Sequence, residues 1–161
     1  MQETNASLIS LISPAKGRSS GTAFLLKNSA DLSVVSSTRD CGGRVVPVIC
    51  SVSGKQVNLV SACAPNNPSC RRESFQDILQ NYLETDVTNI LAGDFNCVDS
   101  IPLDTLAHSQ GSSTSLGSPE LQTCVRAFAM ADQWRVNNPS TTVYTWRSEE
   151  HTSELQSPVP I

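Results

Sequence analysis

The residues best suited to chemistry form a single turn, Gly93-Asp94-Phe95-Asn96, which follows the apolar run 87–92. The two-residue period of a strand directs Asp94 and Asn96 to one side and Phe95 to the other, toward the core. A carboxylate can ligate a metal ion or activate a water, and a carboxamide can donate a hydrogen bond to a phosphate oxygen. Taken alone, the turn also fits an aspartate that shapes a loop and an asparagine that caps it.

Four β-rich runs precede this turn, and short turn signals separate them. Consecutive strands with such short links predict antiparallel hairpins. The runs lie at 21–27, 31–37, 43–52 and 56–63. The later run 87–92 has few polar side chains, which predicts a central strand that is buried on both faces.

Two helices are predicted around that strand. Apolar residues at helical spacing between Phe75 and Leu83 indicate an amphipathic helix that packs on a sheet. Ser118-Pro119 opens the second helix, because a capping residue precedes proline at the first helical position. The Ser/Gly-rich stretch 109–118 predicts a surface loop. The fold class is therefore α+β, a sheet-on-sheet core that is flanked by helices. The apolar face of the second helix is predicted to contain Leu121, Cys124, Val125 and Phe128.

Composition restricts the possible functions without assigning one. The net charge is −4, and no run approaches the ~18 apolar residues that a membrane span requires, so no membrane partner is expected. The six cysteines form no Cys-x-x-Cys pair, which argues against a zinc site. Polar residues follow Met1 at once, so reduced thiols in a protein that is not secreted are favoured over a secreted disulfide framework.

The end of the chain resembles a translated sequencing adapter. The segment RSEEHTSELQS (147–157) back-translates into the sequence of a widely used short-read adapter. We therefore expect one domain at 1–146 and a disordered tail at 147–161. His151 belongs to that tail, and His108 is assigned no role.

Five segments carry a resemblance to a known family when they are taken in order. They read MQET (1–4), GRSSGTAFLLK (17–27), GRVVPVICSVSGKQVNLVSACAPNN (43–67), VTNILAGDFNCVDSIPLDTL (87–106) and MADQWRVNNPSTTVYTW (130–146). Together they resemble the endonuclease/exonuclease/phosphatase superfamily, most closely the apurinic-type endonuclease domain of non-LTR (LINE-like) retrotransposons. The resemblance covers essentially all of 1–146.

This resemblance implies a fold, an activity and partners. The fold is a two-layer β-sandwich flanked by helices, as in DNase I-like proteins. The activity is that of a Mg²⁺- or Mn²⁺-dependent phosphodiesterase that nicks target DNA for retrotransposition. The partners are DNA and, in the intact parent protein, a reverse transcriptase domain on the same chain with its RNA. The expected location is the nucleus or the cytoplasm.

The resemblance also implies roles for individual residues. Glu3 would ligate the metal, Asp94 would handle the attacking water or the leaving group, and Asn96 would orient the phosphate. Asn66 would lie at the rim of the site, beside the substrate phosphate. Asp104 would support the site rather than take part in the chemistry.

Departures from the family pattern predict a weakened site. Cys63 stands at the substrate-phosphate position where the family usually has tyrosine, and a thiol is a shorter and poorer hydrogen-bond donor. A strand expected before Gln2, and Ser-Arg-Asp and Asp-His segments expected after Trp146, are missing. We therefore expect an incomplete domain with little or no nuclease activity alone. The alternatives are an inactive degenerate copy or non-enzymatic module, and a phosphatase of the same superfamily.

Arginines and tryptophans are secondary candidates for DNA contacts. Taken singly, each arginine is expected to lie on the solvated surface. Each tryptophan is expected to pack in the core. The residues concerned are Arg18, Arg44, Arg71, Arg72, Trp134 and Trp146.

Overall fold

A computed structural model describes residues 8–16, 20–27, 29–106, 118–142 and 146–147, with the backbone alone at 101, 105–106 and 146–147. These residues form strands and short helices in an α+β arrangement, as predicted. The elements are β1 (Leu8–Ser13), β2 (Thr22–Lys27), β3 (Leu32–Ser37), β4 (Val45–Val52), β5 (Lys55–Cys63), α1 (Pro68–Asn81), β6 (Thr88–Asp94), α2 (Ile101–Asp104), β7 (Thr105–Leu106), α3 (Pro119–Ala127), α4 (Gln133–Asn137) and β8 (Trp146–Arg147).

The chain forms two compact units. The first comprises Met1–Asn96 and Ser118–Ala131, and the second comprises Cys97–Gly117 and Asp132–Ile161. Strand β8 of the second unit pairs in parallel with β7 and includes Arg147, which the sequence prediction assigned to the tail. The remainder of that predicted tail, 148–161, and the predicted loop at 109–117 lie outside the described residues.

A four-stranded sheet, in the order β3-β4-β5-β6, forms the centre of the first unit. Strands β3, β4 and β5 pair antiparallel, which confirms the predicted hairpins among the last three runs. The predicted hairpin between the runs 21–27 and 31–37 was wrong, since β2 pairs with β1 and not with β3. Strand β6 pairs with β5 in parallel, and the long crossover that parallel neighbours require is supplied by α1. Strands β1 and β2 pair antiparallel in a separate two-stranded sheet.

The two sheets of this unit share a hydrophobic core, so the predicted two-layer arrangement is confirmed. Val46, Val48 and Cys50 of β4 are fully buried at its centre. A hydrogen bond between the Thr22 and Ser61 hydroxyl groups also links the two sheets. The partly buried residues that pack on this core are Leu11, Phe24, Leu26, Val34 and Leu59.

The opposite face of the four-stranded sheet contacts the end of α1. Asn58 of β5 is 1% exposed, and its Nδ2 donates to the Tyr82 carbonyl oxygen at 2.7 Å and to Asn89 Oδ1 at 2.8 Å. One buried side chain therefore joins the helix end to both parallel strands.

Helix α1 begins earlier than the spacing of its apolar residues predicted. Asn67 is its N-cap, with a side chain that accepts from the Ser69 and Cys70 N–H groups, and Pro68 occupies the first turn. The predicted second helix is confirmed as α3, where Ser118 accepts from the Leu121 N–H. The Asn67-Pro68 pair is the same helix-start signal as Ser118-Pro119, a capping residue followed by proline.

A further expectation about the strands was wrong, and one strand was not predicted. Strand β6 is not central, since no other strand in the described part of the chain pairs with its far side, and Ile90 is 50% exposed. Apolar composition alone does not distinguish a buried strand from an edge strand. Strand β1 was not predicted, although its alternating Leu/Ile and Ser residues have the period of a half-buried strand.

Two of the cysteines, Cys50 and Cys124, are buried and contribute to packing. No disulfide joins the six cysteines, all of which the structure describes. Burial raises the pKa of the Cys50 thiol and that of the Cys124 thiol, which keeps both protonated near neutral pH. Within the described part of the chain, no helix is long and apolar enough to cross a membrane.

Gly93 is required where β5 and β6 approach each other. Its φ is +142°, and a Cβ added there would lie 1.8 Å from the Ala62 carbonyl oxygen. We expect Gly93→Ala to lower the free energy of unfolding by about 3 kcal/mol or more, measured by urea denaturation. The matched control is Gly54→Ala, since Gly54 has φ +79° with no atom within 4 Å of the added Cβ; its cost should be about 1 kcal/mol. Equal costs for the two variants would contradict the steric explanation.

Candidate functional site

The parallel pairing of β5 with β6 places the ends of the two strands side by side. Cys63 and Asp94, the last residues of the strands, are register partners, and the Ala64 N–H donates to the Asp94 carbonyl oxygen at 2.8 Å. The loops that follow therefore leave the sheet at the same edge. Ligand sites in α/β sheets lie at such carboxyl ends of parallel strands. The structure thus brings together four candidate residues, Cys63, Asn66, Asp94 and Asn96.

Asp94 offers an exposed carboxylate at this edge. It ends β6, and its Oδ1 accepts a hydrogen bond from the Asn96 N–H at 3.1 Å. This bond has the form of an Asx turn, in which an aspartate holds the backbone two residues ahead. Because Asp94 lies on the surface, its carboxylate is accessible from solvent for a ligand.

Asn96 does not continue the strand. Its φ is +49°, in the left-handed region, so the two-residue period that would place it beside Asp94 ends at Asp94. The half-buried side chain donates from Nδ2 to the Ala64 carbonyl oxygen at 2.8 Å. In this structure Asn96 therefore ties the two loops together, and its role toward a phosphate stays a prediction.

Phe95 faces the core, as predicted. Its ring lies edge-on to the fully buried Phe75 of α1, with 6.0 Å between the ring centroids and an angle of 62° between the planes. Such edge-to-face pairs add stability beyond the burial of their area. This contact fixes the turn against α1.

Arg71 is a member of the site region that the sequence prediction missed. It was expected on the solvated surface, but it is 3% exposed. Its Nη1 donates to the Asn66 carbonyl oxygen at 3.2 Å and to the Asn96 carbonyl oxygen at 2.8 Å. Its spacing to the buried Phe75 and Ile78 is i, i+4, i+7, so a helix predicted from Asn67 onward would have placed Arg71 on the inner face.

The remaining candidates on this edge differ in exposure. Cys63 is half-buried, and its carbonyl oxygen accepts from Arg44 Nη1 at 3.0 Å. The Arg44 side chain is therefore hydrogen-bonded to the protein backbone and does not lie free on the surface. Asn66 is exposed. Arg72 is also exposed, as expected, and pairs with Glu120 at 2.8 Å.

The residues of this edge supply only some of the ligands that a hard divalent cation requires. Mg²⁺ prefers carboxylate, amide and water oxygens, and Asp94 supplies one accessible carboxylate. The described residues contain no cluster of three or more His, Cys, Asp or Glu side chains that could hold a metal. Glu3, the predicted metal ligand, lies outside the described residues, as do His108 and Arg18.

The second unit contains Asp104. This residue is 9% exposed, its Oδ2 accepts from the Ser100 N–H at 2.9 Å, and its Oδ1 forms an ion pair with Arg135. Arg135 also donates to the carbonyl oxygens of Asn138 and Thr141. Within this unit Asp104 therefore anchors a network of loops.

Trp134 does not pack into a core, contrary to the expectation. The residue is 43% exposed, and the Arg135 guanidinium carbon lies 4.8 Å from the centroid of its ring, a cation–π distance. The side chain of Trp146 lies outside the described residues.

Comparison with known proteins identifies one informative relative. No protein-family model matches the chain. Over 131 residues the chain is 30% identical to the "Transposon TX1 uncharacterized 149 kDa protein" of Xenopus laevis, a match that takes in 80% of this chain. The chain spans 10% of the length of that relative. It is therefore similar in sequence to a segment of a transposon protein.

The geometry of Asn96 generates a stability prediction. Asn96→Ala removes the Nδ2 bond to Ala64 and leaves a Cβ in the left-handed region, so we expect a loss of about 2 kcal/mol of unfolding free energy in urea. Asn96→Gly loses the same bond but tolerates the backbone, and its cost should be smaller. Asn66→Ala, at an exposed position, serves as the control and should cost about 0.5 kcal/mol or less. A loss in Asn96→Ala no larger than that of the control would contradict the structural role.

Proposed function

We propose that the edge formed by the ends of β5 and β6 is the phosphodiester site of a metal-dependent DNA endonuclease within a longer retrotransposon protein. One observation carries the proposal: the parallel register of Cys63 with Asp94, which sets two polar loops beside an exposed carboxylate. The similarity to a transposon protein, of which the matched residues make up 10%, supports the context. In that context the substrate is target DNA, and a reverse transcriptase on the same chain, with its RNA, uses the nicked end.

The residues of the edge suit the steps of phosphodiester hydrolysis. The reaction needs an activated water, charge stabilisation on the phosphoryl oxygens and donors that orient the phosphate. Asp94 would accept the proton of the attacking water or help to hold the cation, and Glu3 would be the other carboxylate ligand. A bound Mg²⁺ or Mn²⁺ would supply charge neutralisation at the phosphate. The amide groups of Asn66 and Asn96 would donate to phosphate oxygens.

A specific observation favours an alternative, a degenerate copy that keeps the sandwich without the chemistry. Cys63 provides a weak donor at the phosphate position, and Asn96 Nδ2 already donates to Ala64. Both features lower the number of strong donors that face a substrate. The alternative predicts the same fold with no metal-dependent nicking.

Metal binding tests the proposed site directly. We expect Mn²⁺, added to the isotopically labelled chain, to broaden the backbone amide NMR signals of Cys63, Ala64, Asn66 and residues 94–96 before others, because the ion would sit on the Asp94 carboxylate. Asp94→Asn keeps the size of the side chain, removes its charge and should weaken Mn²⁺ binding by about tenfold or more.

The control variant for this measurement is Asp77→Asn. Asp77 is an exposed carboxylate on α1, so its loss should leave the broadening at the strand ends unchanged. Broadening centred elsewhere, or broadening at the strand ends that persists in Asp94→Asn, would contradict the site.

Nicking of supercoiled plasmid tests the activity. For this incomplete domain we expect little or no conversion to the open circular form at micromolar protein, and any conversion should depend on Mg²⁺ and fall by about 100-fold in Asp94→Ala. The rate should be low because the thiol of Cys63 is a poor phosphate donor, and Cys63→Tyr should raise it. Detectable wild-type nicking that persists at the same rate in folded Asp94→Ala would overturn the role of Asp94, and no nicking by either the wild type or Cys63→Tyr would support the inactive copy.

A further inference from the structure

We propose that Arg71 is a positioning residue, whose buried guanidinium holds the loop after β5 at a fixed distance from the loop after β6. The part of this inference that concerns phosphate and metal rests on the proposed function. The geometric part, a clamp between two loops, stands on contacts that are independent of it. Arg71 itself does not touch the substrate in this proposal.

The contacts of Arg71 reach both loops from one nitrogen. Nη1 donates to the Asn66 carbonyl oxygen at 3.2 Å and to the Asn96 carbonyl oxygen at 2.8 Å. Asn66 belongs to the connection between β5 and α1, and Asn96 follows Asp94. A single guanidinium therefore links the backbones that carry three of the four candidate residues at this edge.

The start of α1 determines where this guanidinium lies. The Asn67 side chain caps the helix, and the Arg71 N–H donates to the Asn67 carbonyl oxygen at 2.9 Å. The backbone of Arg71 therefore lies one helical turn after the loop to which its side chain binds. Because the residue is 3% exposed, few alternative positions are open to its side chain, and the carbonyl groups that it contacts are held with it.

The charge of the guanidinium suits this task. The planar guanidinium fork of arginine presents several donors at fixed angles. Hydrogen bonds from a charged donor to a carbonyl group are stronger than those between neutral groups. A lysine would bring the charge without the fork, so it should restore only part of the effect.

Asn96 connects the clamp to the candidate site. Its carbonyl oxygen accepts from Arg71, while its Nδ2 donates across to the Ala64 carbonyl oxygen. The Asn96 N–H in turn donates to the Asp94 carboxylate. A shift of the Asn96 backbone would therefore also move a hydrogen-bond donor of Asp94.

The test compares Arg71→Met with Arg72→Met. Methionine keeps the length and apolar stem of the side chain but has no N–H donors, and Arg72 is the next residue of the same helix, with 64% of its side chain exposed. The first readout is hydrogen exchange of the Ala64 and Asn96 amides relative to that of Val48, at the centre of β4. We expect Arg71→Met to speed exchange at both loop amides by about tenfold, with Val48 unchanged. Arg72→Met should leave all three rates at their wild-type values.

The second readout is the affinity of the strand ends for Mn²⁺. In folded Arg71→Met we expect it to fall by about tenfold, as happens when groups that orient a ligand are lost. Arg71→Lys should lie between the wild type and Arg71→Met in both readouts, and it decides the matter if Arg71→Met does not fold. Wild-type exchange at Ala64 and Asn96 in folded Arg71→Met, or in Arg71→Lys if only that variant folds, would overturn the clamp. Failure of wild-type protein to bind Mn²⁺ at this edge would instead count against the proposed function, while the exchange rates still test the clamp.

Discussion

Parallel strands cannot be joined by a tight turn, and in this chain α1 carries the backbone from the end of β5 back to the start of β6. The two strands then run side by side to Cys63 and Asp94. Their last pairs come so close that a side chain at Gly93 would overlap the Ala62 carbonyl oxygen. Every feature of the candidate site depends on this approach, because it sets the spacing of the two loops that follow.

Two kinds of contact hold the parallel pair in place from opposite sides. On one face the apolar residues of β4 and β5 pack against the two-stranded sheet. On the other face Asn58 joins both strands of the pair to the end of α1. The helix is also fixed near its start, where Arg71 binds the loops and Phe75 packs on Phe95. Helix α1 therefore contacts the pair near both of its ends.

Local sequence patterns accounted for strands β2 to β5 and for the helix that opens with Ser118-Pro119, whereas the alternating strand β1 was not predicted. They also placed Asp94 at a strand end and Phe95 in the core. They did not reveal the burial of Arg71, because the helix was predicted from Phe75 onward and its start at Asn67, which places Arg71 on the inner face, was missed. The edge position of β6 was missed for a different reason: strand order is decided by pairing between distant segments, and apolar composition is compatible with either position.

Asn96 is subject to two demands that compete within one side chain. Its amide nitrogen donates to the Ala64 carbonyl oxygen, whereas the proposed chemistry needs that same donor at a phosphate. A phosphate oxygen carries more negative charge than a carbonyl oxygen, so it is the stronger acceptor and could draw the amide away from Ala64. Such an exchange would leave the loop without its side-chain tie. The hydrogen bond from Arg71 to the Asn96 backbone carbonyl oxygen would remain, because it does not involve the side-chain amide of Asn96. Clamping the backbone therefore leaves the side chain able to change partners without loss of the loop's position.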